Sequence, residues 1–199
     1  ESYTADVVKA LGGEPNVAPF MEELIAKGLL FDNIYASGDR TDKGLVALLS
    51  AYPSQGIASI IMQPDKAEKL PGLPNTLVEN GYNHSSFFYG GEPEFANMKS
   101  YMLGHGIHQI VDKHAFEQKD MNSKWGAHDG IVLQKQLKLL GQAKEPFCSV
   151  LLTLSNHEPF EVPIPAKFKG DDLPNKFRNT AYYTDLMLRE YFAEAKKQA

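Results

Sequence analysis

An α/β fold, with a largely parallel sheet sandwiched by helices, is the architecture the sequence predicts. Three observations predict it: helix-like and strand-like segments alternate along the chain, the strand-like runs stop at turn residues, and polar clusters gather just beyond those runs. In folds of this kind ligands are expected outside the carboxyl ends of the strands.

Apolar residues recur at helical spacing from Val17, with Pro19 near the start and Gly28 at the end, so an amphipathic helix is expected there. Leu29-Leu30-Phe31-Asp32-Asn33-Ile34-Tyr35-Ala36 is rich in β-formers and stops at Ser37-Gly38, which predicts a strand and a turn. Short helices are expected over Lys43 to Ser50 and Leu73 to Glu79, then a strand from Ser85 to Tyr89 that ends in Gly90-Gly91. Ile107 to Val111 reads as a weaker strand. His128 to Leu140 carries Ile131, Val132, Leu137 and Leu140 at helical spacing and terminates at Gly141, which delivers the chain to a strong apolar strand from Phe147 to Leu154. A last helix is expected from Asn175 to Lys197, and Pro159 to Pro174 is the one long irregular piece.

The 199 residues, 43% of them hydrophobic, suit a single domain with a real core. A net charge of −5 gives no basic footprint, so nucleic acid is not an expected partner. No apolar run approaches the roughly 20 residues of a spanning helix. The single cysteine, Cys148, lies in the apolar run before Leu154, expected in the core, and neither a disulfide framework nor a thiolate metal cluster can form.

Three polar clusters follow strand-like runs. In Ser37-Gly38-Asp39-Arg40-Thr41-Asp42-Lys43-Gly44 the Thr41 hydroxyl would sit beside the free N–H groups of a helix start, where phosphate oxygens bind and an alkoxide is stabilised. Thr41 is therefore either a nucleophile or an ordinary N-cap. Gly90-Gly91-Glu92-Pro93-Glu94 is either a close approach of backbone to ligand or a plain turn. Ser155-Asn156-His157-Glu158 places His157 past a strand, as a phosphate ligand, a proton donor or a turn residue. His84, His105, His108, His114 and His128 show no zinc spacing and are expected to be structural or exposed, and Trp125 is expected in the core.

In order, Asn16-Val17-Ala18-Pro19-Phe20 leading to Lys27-Gly28-Leu29-Leu30-Phe31-Asp32-Asn33-Ile34-Tyr35, then Arg40-Thr41-Asp42-Lys43-Gly44, then Leu154-Ser155-Asn156-His157-Glu158-Pro159-Phe160, resemble one family. It is the sulfatase-like branch of the alkaline-phosphatase superfamily that contains lipoteichoic acid synthases and bacterial phosphoglycerol transferases. The formylglycine motif of true sulfatases is replaced here by Arg40-Thr41-Asp42-Lys43, which disfavours sulfate-ester hydrolysis by that route.

The resemblance implies an alkaline-phosphatase-like fold truncated at both ends, because no apolar strand precedes Glu1 and no Asp-His-Gly motif follows the last helix. It implies that Thr41 is the nucleophile and a ligand of a divalent metal (Mn, Mg or Zn), that Glu1 is a second ligand, and that His157 holds the substrate. Arg40 and Asn97 are further substrate-binding candidates, Asn97 standing in a region where lipoteichoic acid synthases have Trp and Arg. The implied activity is transfer of a phosphoglycerol-like group from a lipid donor to a glycan acceptor through a phospho-threonine. A sulfatase-like hydrolase acting on a phosphate or sulfate ester, and a non-catalytic binding domain, are the alternatives. The domain would stand outside the bacterial inner membrane on an upstream anchor; the piece itself is expected to bind metal weakly or not at all and to be inactive. Glu1, Thr41 and His157 are expected to converge in one cleft.

Overall fold

The computed structural model describes residues 2–54 and 56–198. In chain order the α-helices are α1 Pro19–Lys27, α2 Thr41–Ser50, α3 Pro64–Ala67, α4 Leu73–Glu79, α5 Met98–Gly104, α6 Asp129–Leu140 and α7 Leu173–Gln198, and the strands are β1 His84–Tyr89, β2 Gln109–Val111 and β3 Phe147–Leu152. By internal contacts the chain divides into two compact units: Glu1–Asn33, Phe116–Gly141 and Leu152–Ala199 form one, and Ile34–Ala115 with Gln142–Leu151 form the other.

The first unit is helical. Pro19 opens α1 with a preset backbone angle, Asp129 stands in the first turn of α6, and Lys196 and Lys197 close α7, each charge complementing the helix dipole. Helix α7 packs on α1 and α6. The approach to α6 depends on Gly130, since a Cβ there would lie 2.4 Å from Met187 Sδ and 2.7 Å from the Tyr183 hydroxyl. Val7, Val8, Val17, Ala18 and Ala181 form a buried cluster, with Tyr3, Met21, Ile25, Phe168 and Phe177 packed against it.

The second unit holds the sheet, in the order β2-β1-β3. β1 and β2 are parallel, with Ser86 opposite Gln109, Phe87 opposite Ile110 and Phe88 opposite Val111. Being central, β1 buries Ser85, Ser86, Phe87 and Phe88 in succession rather than alternately, as a strand covered on both faces does. β3 is only half-buried along its length, so Cys148 is not the core residue expected. Helix α4 packs on α2 and β1, and α3 packs on α5.

One expected strand is absent. Leu29 to Ala36 forms no ladder; Leu29 is 81% and Tyr35 84% exposed. Among the described residues no segment pairs with this run, and β-propensity without a cross-strand neighbour does not make a strand.

Candidate functional site

Helix α2 begins at Thr41. Arg40, exposed and extended at φ −134°, ψ 152°, occupies the cap position, and its carbonyl accepts the first helical bond from Gly44 N–H at 2.9 Å. No side chain of Arg40 caps the helix, and Thr41, half-buried, is the first helical residue rather than the cap. The turn before it requires Gly38, since a Cβ there would meet Lys43 Cβ at 2.7 Å. Lys43 Nζ donates to Asp39 Oδ1 at 2.8 Å and holds that carboxyl below its ordinary range.

Asn97, in the same unit, caps α5 from the left-handed region at φ 57°, and Ala96 before it stands at φ 52°. Two successive non-glycine residues there mark a constrained turn. The Asn97 side-chain amide donates to the Ile61 carbonyl at 3.4 Å. The nearby Glu92 and Glu94 are ion-paired, with Lys113 and Lys99 at 3.0 and 2.6 Å.

His157 belongs to the helical unit, half-buried in a turn closed by its own N–H to the Leu154 carbonyl at 3.0 Å. Trp125 lies against it edge-on, ring centres 4.7 Å apart. The Glu158 carbonyl accepts the indole N–H at 2.6 Å and lies 3.1 Å from His157 Nδ1, so one acceptor fixes both rings. Trp125 is 43% exposed and carries the Lys124 ammonium 4.7 Å from its ring centre, which corrects the expectation that it packs in the core.

Beneath this turn is a buried polar network. Asp129 Oδ1 accepts the N–H groups of Leu154 at 2.6 Å and Ser155 at 3.2 Å, and Oδ2 accepts the Thr184 hydroxyl at 2.8 Å. Ser155 Oγ in return accepts Asp129 N–H at 3.0 Å. Asn156 is buried with its Oδ1 3.3 Å from Thr184 Oγ1, and its Nδ2 has no partner among the described residues. His128 is also buried, and burial pulls its imidazole below the ordinary pKa against the opposing fields of Asp129 and Glu161. A carboxylate at the start of α6 thus sets the backbone that leads into His157.

The sequence singled out Arg40, Thr41, Asn97, His157 and Glu1. Arg40 and Thr41 stand together at the start of α2, Asn97 lies elsewhere in that unit, His157 lies in the other unit, and Glu1 lies outside the described residues. Asp129 and Trp125, which build the His157 turn, were not among the site candidates: their partners are 25 and 33 residues away. Among the described residues no three of His, Cys, Asp and Glu come together as a metal site. The Thr41 hydroxyl alone is not a donor set for a divalent cation.

Comparison with known proteins gives these features a context. The Sulfatase family matches residues 1–199. Lipoteichoic acid synthase-like YvgJ of Bacillus subtilis is 27% identical over 207 residues, covering 100% of this chain and 33% of that protein. The crystal structure of a protein in the alkaline phosphatase superfamily from Vibrio parahaemolyticus superposes with a TM-score of 0.86 at 31% identity, covering 97% of this chain and 48% of that one. The C-terminal periplasmic domain of EcEptC from Escherichia coli, solved also as a complex with Zn, has a TM-score of 0.73 at 16% identity over 100% of this chain and 57% of its own. The chain therefore spans about a third of the length of the curated relative and about half of the solved chains.

Proposed function

This chain belongs to the sulfatase family, in its lipoteichoic-acid-synthase-like branch, and from that premise we propose that it forms part of a transferase that moves a phosphoglycerol-like group from a lipid to a glycan through Thr41. The relatives support a phosphoryl-group transferase or sulfatase-family enzyme; donor, acceptor and the residue roles are the proposal.

The observation that carries it is the half-buried threonine at the first position of α2. The N–H groups of a first helical turn have no intrahelical acceptor and carry the positive end of the helix dipole. A phosphodiester seated there has its negative oxygens stabilised while Thr41 Oγ forms a bond to phosphorus. The bond to the lipid alcohol breaks, and the threonine proton leaves on that alcohol. An acceptor hydroxyl then attacks the phospho-threonine, gives up its proton to the departing Thr41 oxygen and regenerates the hydroxyl.

His157, fixed by the Glu158 carbonyl and flanked by Trp125, is assigned to hold the substrate head group. Placement outside the cytoplasmic membrane accords with the periplasmic domain to which the fold is similar. Among the described residues no helix is long and apolar enough to cross a membrane.

The test is turnover of a labelled phospholipid donor by the intact enzyme in Mn²⁺ or Mg²⁺, with and without a glycan. Thr41→Ala is expected to abolish label transfer and Thr41→Ser to retain a measurable fraction; full activity of Thr41→Ala removes the proposal.

A further inference from the structure

Phe160 stands at φ 62°, in the left-handed region where the Cβ of an L residue crowds its own backbone. Among the described residues the other non-glycines found there are Ser2, Asn16, Ala51, Ala96 and Asn97. All of those are small, so Phe160 is the one bulky side chain held in this conformation.

The Phe160 N–H donates to the His157 carbonyl at 2.9 Å, and the His157 N–H donates to the Leu154 carbonyl at 3.0 Å. Both backbone groups of His157 are therefore committed to consecutive turns, and Phe160 closes the second. Inside that second turn lies the Glu158 carbonyl, which accepts the Trp125 indole N–H and stands 3.1 Å from His157 Nδ1. Beyond the turn the half-buried Phe160 ring meets the Phe177 ring edge-on, with centres 5.6 Å apart. Phe177 belongs to α7 and packs against the buried cluster of Val7, Val8, Val17, Ala18 and Ala181. A ring seated on the core of the unit thus offsets a backbone state that residue 160 would otherwise leave.

We propose that Phe160 is a positioning residue for His157: its seated ring keeps the turns over 154–160 closed and so aims the imidazole at the substrate head group. Phe160 touches no reacting atom, and its role rests on the assignment of His157 to that head group. The left-handed backbone leaves a signature that packing alone does not. At most positions glycine is a poorer replacement than alanine, because its backbone is freer in the unfolded chain. At φ 62° it is the better one, because it has no Cβ to crowd.

The experiment measures kcat and KM of the intact enzyme for headgroup-labelled phosphatidylglycerol in Mn²⁺, with thermal unfolding of the same samples. Phe160→Ala is expected to raise KM about tenfold with kcat little changed, because an imidazole that must be ordered on binding costs affinity in ground and transition states alike. Phe160→Gly is expected to raise KM less and to unfold at a higher temperature than Phe160→Ala. Phe160→Tyr, which keeps the ring, is expected to retain the parent KM. A merely structural residue would lower the unfolding temperature and leave KM where it is. A parent KM in Phe160→Ala, while His157→Ala impairs turnover of the donor, overturns this proposal alone. So does a Phe160→Ala variant that matches or surpasses Phe160→Gly in both stability and KM. Where Phe160→Ala gives no folded enzyme, Phe160→Gly decides, and a parent KM there overturns the proposal. Full activity with a parent KM in His157→Ala overturns the head-group assignment and this role with it.

Discussion

Thr184 Oγ1 donates to Asp129 Oδ2 at 2.8 Å, tying the middle of α7 to the first residue of α6, and the same carboxylate holds the Leu154 and Ser155 N–H groups. All four residues are buried. Replacing Asp129 by Ala leaves the buried Leu154 and Ser155 N–H groups unpaired, at about 1 kcal/mol or more each, and leaves the Thr184 hydroxyl only Asn156 Oδ1 at 3.3 Å. Urea unfolding is expected to show a loss of about 2 kcal/mol for Asp129→Ala and about 1 kcal/mol for Thr184→Val; an Asp129→Ala variant as stable as the parent contradicts the role given to this network.

A second long-range carboxylate caps α1. Asp185, on α7, accepts Phe20 N–H at 2.7 Å and Met21 N–H at 2.9 Å, and lies 3.3 Å from the Tyr3 hydroxyl, while Ala18 at the cap position offers no side-chain bond. Asp185→Ala is expected to cost about 1–3 kcal/mol. Tyr3→Phe is expected to cost less, because the helix N–H groups keep their acceptor. Equal losses for the two variants in thermal unfolding would show that Asp185 does not stabilise the chain chiefly by capping α1.

Stability is expected to depend on pH through His128. Its imidazole is depressed by burial in the folded chain, so the unfolded chain takes up a proton first. The contribution is complete above the ordinary histidine value of about 6.5 and is lost as pH falls from there through the lower folded value. His128→Gln is expected to flatten the unfolding free energy over that window relative to the parent, and parallel pH curves for the two proteins contradict it.

Trp125 is the only tryptophan, so its emission reports on the His157 turn without ambiguity. Removing the imidazole that touches it, in His157→Ala, is expected to change both intensity and wavelength. Asn97→Ala, in the other unit, is expected to change neither; an unaltered spectrum in His157→Ala shows that the rings do not meet in solution.

The elements legible in sequence were those whose cause is local. Leu73–Glu79 begins and ends where expected, and α1, α6 and β1 shift by a residue or two, because prolines, glycines and periodicity act over one or two turns. Leu29 to Ala36 failed because a strand needs a partner that its own residues do not encode. The position of Thr41 at a helix start was legible from its turn, and that of His157 in a turn from the end of an apolar run. Their surroundings were not: Asp129 meets Thr184 from 55 residues away, Asp185 caps a helix 165 residues earlier, and the Trp125 indole N–H finds the Glu158 carbonyl 33 residues on. Such contacts follow from packing, not from spacing.

On the proposed mechanism Thr41 becomes covalently phosphorylated during turnover. Quenching the intact enzyme during turnover of a ³²P-headgroup phospholipid, followed by peptide mapping and tandem mass spectrometry, tests it directly. A phosphoglycerol adduct on the peptide containing Thr41, absent from Thr41→Ala and chased by acceptor, is the expected result. Turnover in which label never resides on that threonine, or resides on another residue, contradicts the account.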